Sequence, residues 1–356
     1  MRTGTSLVLA AAGAVVLALG IVYSGGPVGE TAQTLQGRPA FPDLTPKLAD
    51  ATQLEIHHGA VTMHLTRGAK DAGGQWGVAD RAGYPAQPDK VHQLLVALTE
   101  LRLDAARTAD PAQYGRLGVA DPGKGSDSTL VRVLDGKGGT IAALILGHTR
   151  AAQRGNADTL YIRRPGEAQS WLADGKVLVS ADTQDWLDRT IVDIDPKKIA
   201  GVTATRGNAS VAFARKDGTL TLIAPADHPK IDTSKVDDVA SALSSLTLED
   251  VQKAPAPGTS FGHSVFTTTD GLTLAADVSK AGPAVWATFT ASGNDSAPLE
   301  AKLKGWAYEI GSWKQDALVP TLDSVKVPPP AMSSPPPGSP AQLPDLTKKA
   351  PGAAGQ

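Results

Sequence analysis

The chain has 356 residues, enough for two domains, and its composition of 41% hydrophobic but only 4% aromatic residues specifies an aliphatic core. A formal net charge of −2 supplies no basic field for nucleic acid. Cysteine is absent, which excludes disulfides, thiol catalysis, thiolate metal sites and a lipid-modified cysteine anchor.

Taken in chain order, the first feature is "SLVLAAAGAVVLALGIVY", Ser6 to Tyr23, uncharged over 18 residues. A helix of that length spans about 27 Å, close to the roughly 30 Å of a hydrocarbon core. Arg2 and the free amino group precede it, so residues 1–24 are expected to anchor the chain once in the inner (cytoplasmic) membrane, with residues 25–356 on the periplasmic side. A cleaved signal peptide is the alternative, and it exports the same residues. Residues 25–40, rich in glycine and small polar side chains, read as a flexible stalk.

Two copies of one unit are expected next, over residues 41–195 and 196–325, with the seam near Asp195-Pro196. The first opens with "QLEIHH", a turn at Gly59-Ala60 and "VTMHLTR", a hairpin whose two-residue loop pairs His58 with Val61, Ile56 with Met63 and Glu55 with His64. Alternation then puts Leu54, Ile56, Met63 and Leu65 on one face and Glu55, His57, Thr62 and His64 on the other. "VTATRGNASVAFAR" is the second copy's hairpin, and "QWGVA" and "LTLIA" are matching third strands. An amphipathic helix follows in each. Val91, Leu94, Leu98, Leu101 and Leu103 return as Val236, Val239, Leu243, Leu246 and Leu248, at a constant offset of 236 − 91 = 145 residues. Asp89 and Ser234 are the expected helix caps. Strand pairs at Asp-Gly turns, then "TLYIRR" and "AVWATFTA", complete the copies. The expected fold class is therefore α+β: two tandem repeats, each mainly antiparallel strands and hairpins with one packed amphipathic helix, after an N-terminal transmembrane helix. Residues 326–356 form a proline-rich tail, expected to be disordered, with a partner-docking peptide as the alternative.

Candidate chemistry is sparse. His57 and His64 with Glu55 share a patch that resembles a zinc half-site, yet a fourth ligand is lacking and the patch reads as the wet face of a hairpin. "GVADPGKGS", Gly118 to Ser126, falls short of a phosphate loop because Gly125 stands where the Mg²⁺-binding hydroxyl belongs and a strand follows. "GTSFG", Gly258 to Gly262, matches the serine-hydrolase elbow around Ser260 with His263 beside it, but lacks the strand before and the helix after. Trp171 and Trp306 fall at comparable places in the two copies, and Trp186 and Trp313 follow less regularly; packing is their expected role, an aromatic binding surface the alternative. The sequons at Asn208 and Asn294 carry no assignment. No catalytic, cofactor-binding or metal-ligating residue is assigned, and no nucleotide or nucleic-acid partner is expected.

"FPDL" (Phe41 to Leu44), "QLEI", "VTMHLTR", "QWGVA", "YPAQPDKVHQLLVALTELR", "YGRLGV" (Tyr114 to Val119), "LILG", "LYIRR" and "DWLDRTI" together resemble a bacterial family of membrane-anchored proteins whose domain has unknown function. The likeness covers most of residues 41–325; in the second copy "SFGHSV" only faintly echoes "YGRLGV". The family accompanies gliding-motility-type ABC transporter genes. The resemblance thus implies a non-enzymatic, membrane-held accessory or scaffold protein that binds an ABC-type permease or auxiliary subunit. A module binding glycan, peptide or lipid between the copies is the alternative, and a serine hydrolase the remote one.

Overall fold

A computed structural model of the chain describes residues 35–69, 74–150 and 158–327. The expected anchor at residues 6–23 and the tail beyond Val327 lie outside the described residues. The first unit contains β1 (Ala51–His58), β2 (Val61–Arg67), β3 (Trp76–Val78), β4 (Tyr84–Pro85), helix α1 (Pro88–Glu100), β5 (Arg102–Ala106), β6 (Thr129–Asp135), β7 (Thr140–Arg150), β8 (Thr159–Arg163) and β9 (Ser170–Asp174). A short β10 (Thr190–Val192) leads into the second unit. There follow β11 (Ile199–Arg206), β12 (Ala209–Lys216), β13 (Thr219–Ala224), helix α2 (Thr233–Ala240), β14 (Leu246–Lys253), β15 (Thr259–Thr268), β16 (Leu272–Ala281), β17 (Ala284–Gly293), helix α3 (Ala297–Leu303) and β18 (Trp306–Ile310).

The α+β expectation is corrected by this arrangement. The described chain is mostly antiparallel β, in two nine-stranded sheets, and helix is confined to short crossovers and single turns. No described helix is long and apolar enough to cross a membrane. The physical reason is that short strands carry few residues each but recruit one another across long loops, so β content accumulates in pairings that a local pattern does not reveal.

The first sheet runs β4-β3-β2-β1-β6-β7-β8-β9-β5 and the second β10-β14-β18-β17-β16-β15-β11-β12-β13. Read in opposite directions, the eight strands from β3 to β5 and from β13 to β14 follow the same order, so the two units share one topology. The hairpin register is that of a two-residue turn, with Ile56 opposite Met63 and Glu55 opposite His64. Leu54, Ile56, Met63 and Leu65 are buried, as their alternation requires.

Helix α1 joins β4, at one end of its sheet, to β5 at the other, and α2 joins β13, at one end of the second sheet, to β14, which lies next to β10 at the other. The two helices begin at equivalent positions, 233 − 88 = 145. All ten residues of the repeated stripe, Val91 to Leu103 and Val236 to Leu248, are buried in one continuous core that runs through both units. The caps differ from expectation. Pro88 occupies the first turn of α1 after Gln87, leaving Asp89 inside the helix. Asp232, two residues earlier than the expected Ser234, caps α2 by accepting from the Ser234 amide at 3.0 Å. After Ala240 the α2 path unwinds into turns, and Lys314 Nζ donates to the carbonyls of Ser241, Ala242 and Ser244 at 3.2–3.4 Å.

The units are joined by an extended segment rather than a loose linker. The Asp188 amide donates to the Pro85 carbonyl at 2.9 Å, and Gln87 to Trp186 at 2.8 Å, so the segment first extends the edge of sheet one. Just beyond, Thr190 pairs with Thr247 and Val192 with Leu246, at the edge of sheet two. Around it Arg81 grips Asp250 through Nε and Nη2 at 2.6 and 2.9 Å, a bidentate pair between units. Tyr84 is buried edge-on against Trp306, with ring centroids 4.9 Å apart, and its hydroxyl donates to the Asp188 carbonyl at 3.1 Å. Burial pushes the Tyr84 phenol pKa up, so this contact is made by the neutral form.

A core shared by both units should respond as one cooperative body. Leu98→Ala in α1 and Leu243→Ala in the second unit are each expected to cost about 2–5 kcal/mol. Both should shift one common transition in urea titrations followed by tryptophan fluorescence, and a separate early transition for either unit would contradict the shared core.

Candidate functional site

The units differ most on their outer faces, away from the shared core. In the first, residues 107–128 connect β5 to β6 and cross that face. Tyr114 and Val119 of this cover pack on Ile145, with Leu130 and Tyr161 at the margin, forming a small second core. The cover is pinned by Arg163, which is buried. Its Nε donates to the Val119 carbonyl at 2.8 Å, its Nη2 reaches Asp121 at 2.5 Å, and its guanidinium lies 4.5 Å from the Tyr114 ring centroid. Gly147 permits the close approach, since a Cβ there would lie 2.3 Å from the Leu117 carbonyl oxygen. "GVADPGKGS" is therefore part of a cover strapped to Arg163, ahead of strand β6.

In the second unit residues 254–258 make the same connection in five residues rather than 22. Aligning the units on their hairpin turns, His58–Val61 against Arg206–Ala209, shows what replaces the covered residues. The cross-strand pair Leu130–Ile145 becomes His263–Asp277, and buried Arg163 becomes Thr288. His263 Nδ1 and Asp277 Oδ1 are 2.7 Å apart, and both side chains are exposed. An apolar pair under a lid has become a hydrogen-bonded polar pair in water, which is what an uncovered sheet face needs to remain soluble.

This bare face meets a cleft of about 600 Å³ between the Ala254–Gly258 connection and the strands, with Ser260, Asp277, Thr288, Glu300, Lys304 and Trp306 on its walls. The cleft exists because β18 pairs with β17 only over Val285–Ala287, so the strands part beyond Ala287. Glu300 bridges part of the gap, its Oε2 accepting from the Ala291 amide at 2.7 Å. Lys253 Nζ sits 3.4 Å from the Trp306 ring centroid, giving the cleft a cationic rim. A second cleft of about 630 Å³ lies beside β10, lined by Asp193, Lys198, Asp270 and Lys302 among others. The first lies within the second unit, and the second lies between the joining segment, residues 190–195, and the second unit.

Ser260 lies in strand β15, and its hydroxyl makes no hydrogen bond to His263, whose Nδ1 is held by Asp277. "SFGHSV" is β15 itself and so corresponds to β6, not to Tyr114–Val119 of the cover. His57 Nε2 donates to the Gly59 carbonyl at 3.1 Å, His58 Nδ1 lies 3.1 Å from the Ser128 carbonyl, and His64 lies 3.4 Å from Asp80. Glu55 is paired with Arg132 at 2.9 Å, so the patch is divided among separate partners. Among the described residues no three metal-ligating side chains converge. Trp171 and Trp186 are buried, while Trp313 is 76% exposed. In register Trp171 corresponds to Tyr308 rather than Trp306, since each lies opposite the equivalent residues Ile162 and Ala287. His263 and Asp277 were missed in the sequence as a pair; the signal was their place opposite one another across the Asp270-Gly271 hairpin.

A family model described as a domain of unknown function, DUF4340, matches residues 76–260. The chain belongs to the DUF4340 family. No curated protein and no solved structure matches it. The DUF4340 match runs from β3 into β15, across the junction between the units.

Glu309, on the outer side of β18, has its carboxyl pKa raised, first by burial and then by the charges of Asp250 and Glu249. A carboxyl whose folded-state pKa is raised favours folding while protonated and loses that contribution as pH rises through the folded value. Glu309→Gln is therefore expected to stabilise the protein at pH 7. The gain should shrink as pH falls through the raised folded-state value and be gone below the ordinary glutamate value of about 4.3, which thermal unfolding across pH 3–8 would reveal.

Proposed function

We propose that this DUF4340 chain is a non-enzymatic accessory protein of the inner membrane, held by residues 6–23, whose two units form one rigid platform on the periplasmic side. Its partner is a protein, an ABC-type permease or auxiliary subunit. The observation that carries this reading is the asymmetry of the outer faces: one unit closes its face with its own cover, while the other leaves a polar face and an open cleft around His263, Asp277 and Trp306. Such a face, wet when free and edged by an aromatic and a cation, has the chemistry of a non-obligate protein interface. The link to an ABC-type transporter rests on the sequence resemblance described above. The packed junction of Arg81, Tyr84 and Asp250 favours this reading over a ligand held between the units, because that space is already filled. Ser260 without an imidazole partner weighs against the hydrolase alternative.

Crosslinking of the full-length protein in its own membrane, followed by affinity capture and mass spectrometry, tests the proposal. The permease or auxiliary subunit is expected with the intact chain, and H263A/D277A should reduce its recovery without moving the thermal unfolding midpoint. Undiminished recovery from the double variant would move the interface elsewhere. Recovery equal to that of an anchor-only control would overturn the accessory role.

A further inference from the structure

Each unit begins with a short segment that closes the edge of the strand after its crossover helix, β5 or β14. In the first, the Leu103 amide donates to the Arg38 carbonyl at 2.9 Å, Ala40 donates to Leu101 at 2.7 Å, and Pro39 faces Arg102 across an isolated bridge. In the second, the equivalent Leu248 amide donates to the Arg189 carbonyl at 2.9 Å. The chain then continues as Asp43-Leu44-Thr45-Pro46-Lys47 in one unit and Asp193-Ile194-Asp195-Pro196-Lys197 in the other, with Leu44 and Ile194 both buried in the core. An opening motif is thus repeated along with the sheet.

The motif occurs a third time. Leu343-Pro344-Asp345-Leu346-Thr347-Lys348-Lys349 in the tail reproduces Phe41-Pro42-Asp43-Leu44-Thr45-Pro46-Lys47, with the Pro, Asp, Leu, Thr and final Lys identical. Upstream, Ser339 and Gln342 stand where Gly37 and Ala40 donate their amides, and neither is proline, so both edge donors are retained.

The end of the second unit supplies independent support. There Val327 donates to the Lys230 carbonyl at 2.9 Å, Asp232 donates to Val325 at 2.9 Å, and Ile231 bridges Lys326. These are the equivalents of Asp188 to Pro85, Gln87 to Trp186, and Ala86 with Leu187, the contacts by which the chain leaves the first unit for the second. The chain therefore leaves the second unit as though a third were to follow, and then carries that unit's opening motif.

We propose that Leu343–Lys349 seats on the β5 edge of a second copy of this chain, in place of that copy's own residues 38–47. The acceptor proposed is a second copy: the tail leaves beside the segment after β13, at the other end of the strand order from β5. Exchange of an identical edge segment between protomers is a low-cost route to association, since the incoming segment restores the edge hydrogen bonds that the resident one gives up.

The absence of native cysteine makes the test direct. Full-length R102C/A341C, with Ala341 at the position of Pro39, is oxidised and run without reductant. A disulfide-linked dimer is expected, reversed by thiol and increased by adding L44A, which loosens the resident segment. P39C/R102C, which joins a pair already opposed in the structure, and R102C/S334C are the positive and register controls. A crosslinked monomer in place of the dimer would overturn the assignment to a second copy. No crosslink above R102C/S334C would overturn tail docking altogether.

Discussion

The architecture depends on one extended segment, residues 186–192, that belongs to two sheets at once. Its first half hydrogen-bonds to Pro85 and Gln87, and its second half pairs with Leu246 and Thr247. A strand edge is a row of unsatisfied donors and acceptors, and burying it unpaired would cost free energy at every residue. Here the same few residues satisfy the edge of each sheet, so neither can move far without exposing the other. Arg81 with Asp250 and Tyr84 with Trp306 then fill the remaining space, and the two cores become continuous. Rigidity between the units follows from this shared edge before any side-chain contact is considered.

With the inner faces committed to the common core, only the outer faces are free to diverge. The cover over the first sheet required coordinated features: a long connection, Tyr114 and Val119 to bury, Arg163 to hold the loop, and Gly147 where the loop presses on the strand. The second unit departs from the set together. Its connection is short, and His263, Asp277 and Thr288 stand at the positions of Leu130, Ile145 and Arg163. Losing the cover while keeping the apolar pair would have left Leu and Ile exposed side by side. The matched change to a polar pair shows a face adapted to water, and the parting of β17 from β18 beyond Ala287 adds a cleft at its border.

Much of the inner architecture was legible in the sequence because it rests on short-range periodicity. The β1–β2 register followed from a two-residue loop, and the buried stripe of each crossover helix from apolar spacing. The balance of structure was not legible. The placement of β5 beside β9, and of β14 beside β18, joins residues far apart in the chain, and no local pattern announces it. The helix starts were misread for a simpler reason: Pro88 needs no side-chain cap, and Asp232 lies just outside the apolar period. Matching Trp171 with Trp306 paired residues by type, whereas strand register equates Trp171 with Tyr308. The candidate site was hidden because its meaning is comparative. His263 and Asp277 say little in isolation and become informative only against the covered pair they replace.

A duplicated fold of this kind separates two demands that conflict within a single unit. Stability asks that a nine-stranded sheet bury both faces, while binding asks that one face stay accessible and polar. In this chain the first unit buries part of its outer face, in the second small core under Tyr114. Through the shared edge and continuous core, that stability is available to the second unit, whose outer face carries the His263–Asp277 pair in solvent. The exposed face needs no cover of its own because the hydrophobic burial that keeps it folded lies on the other side of the sheet and extends into its neighbour. That coupling explains why divergence is concentrated on the outer face of one unit while the repeated apolar stripe stays buried in both.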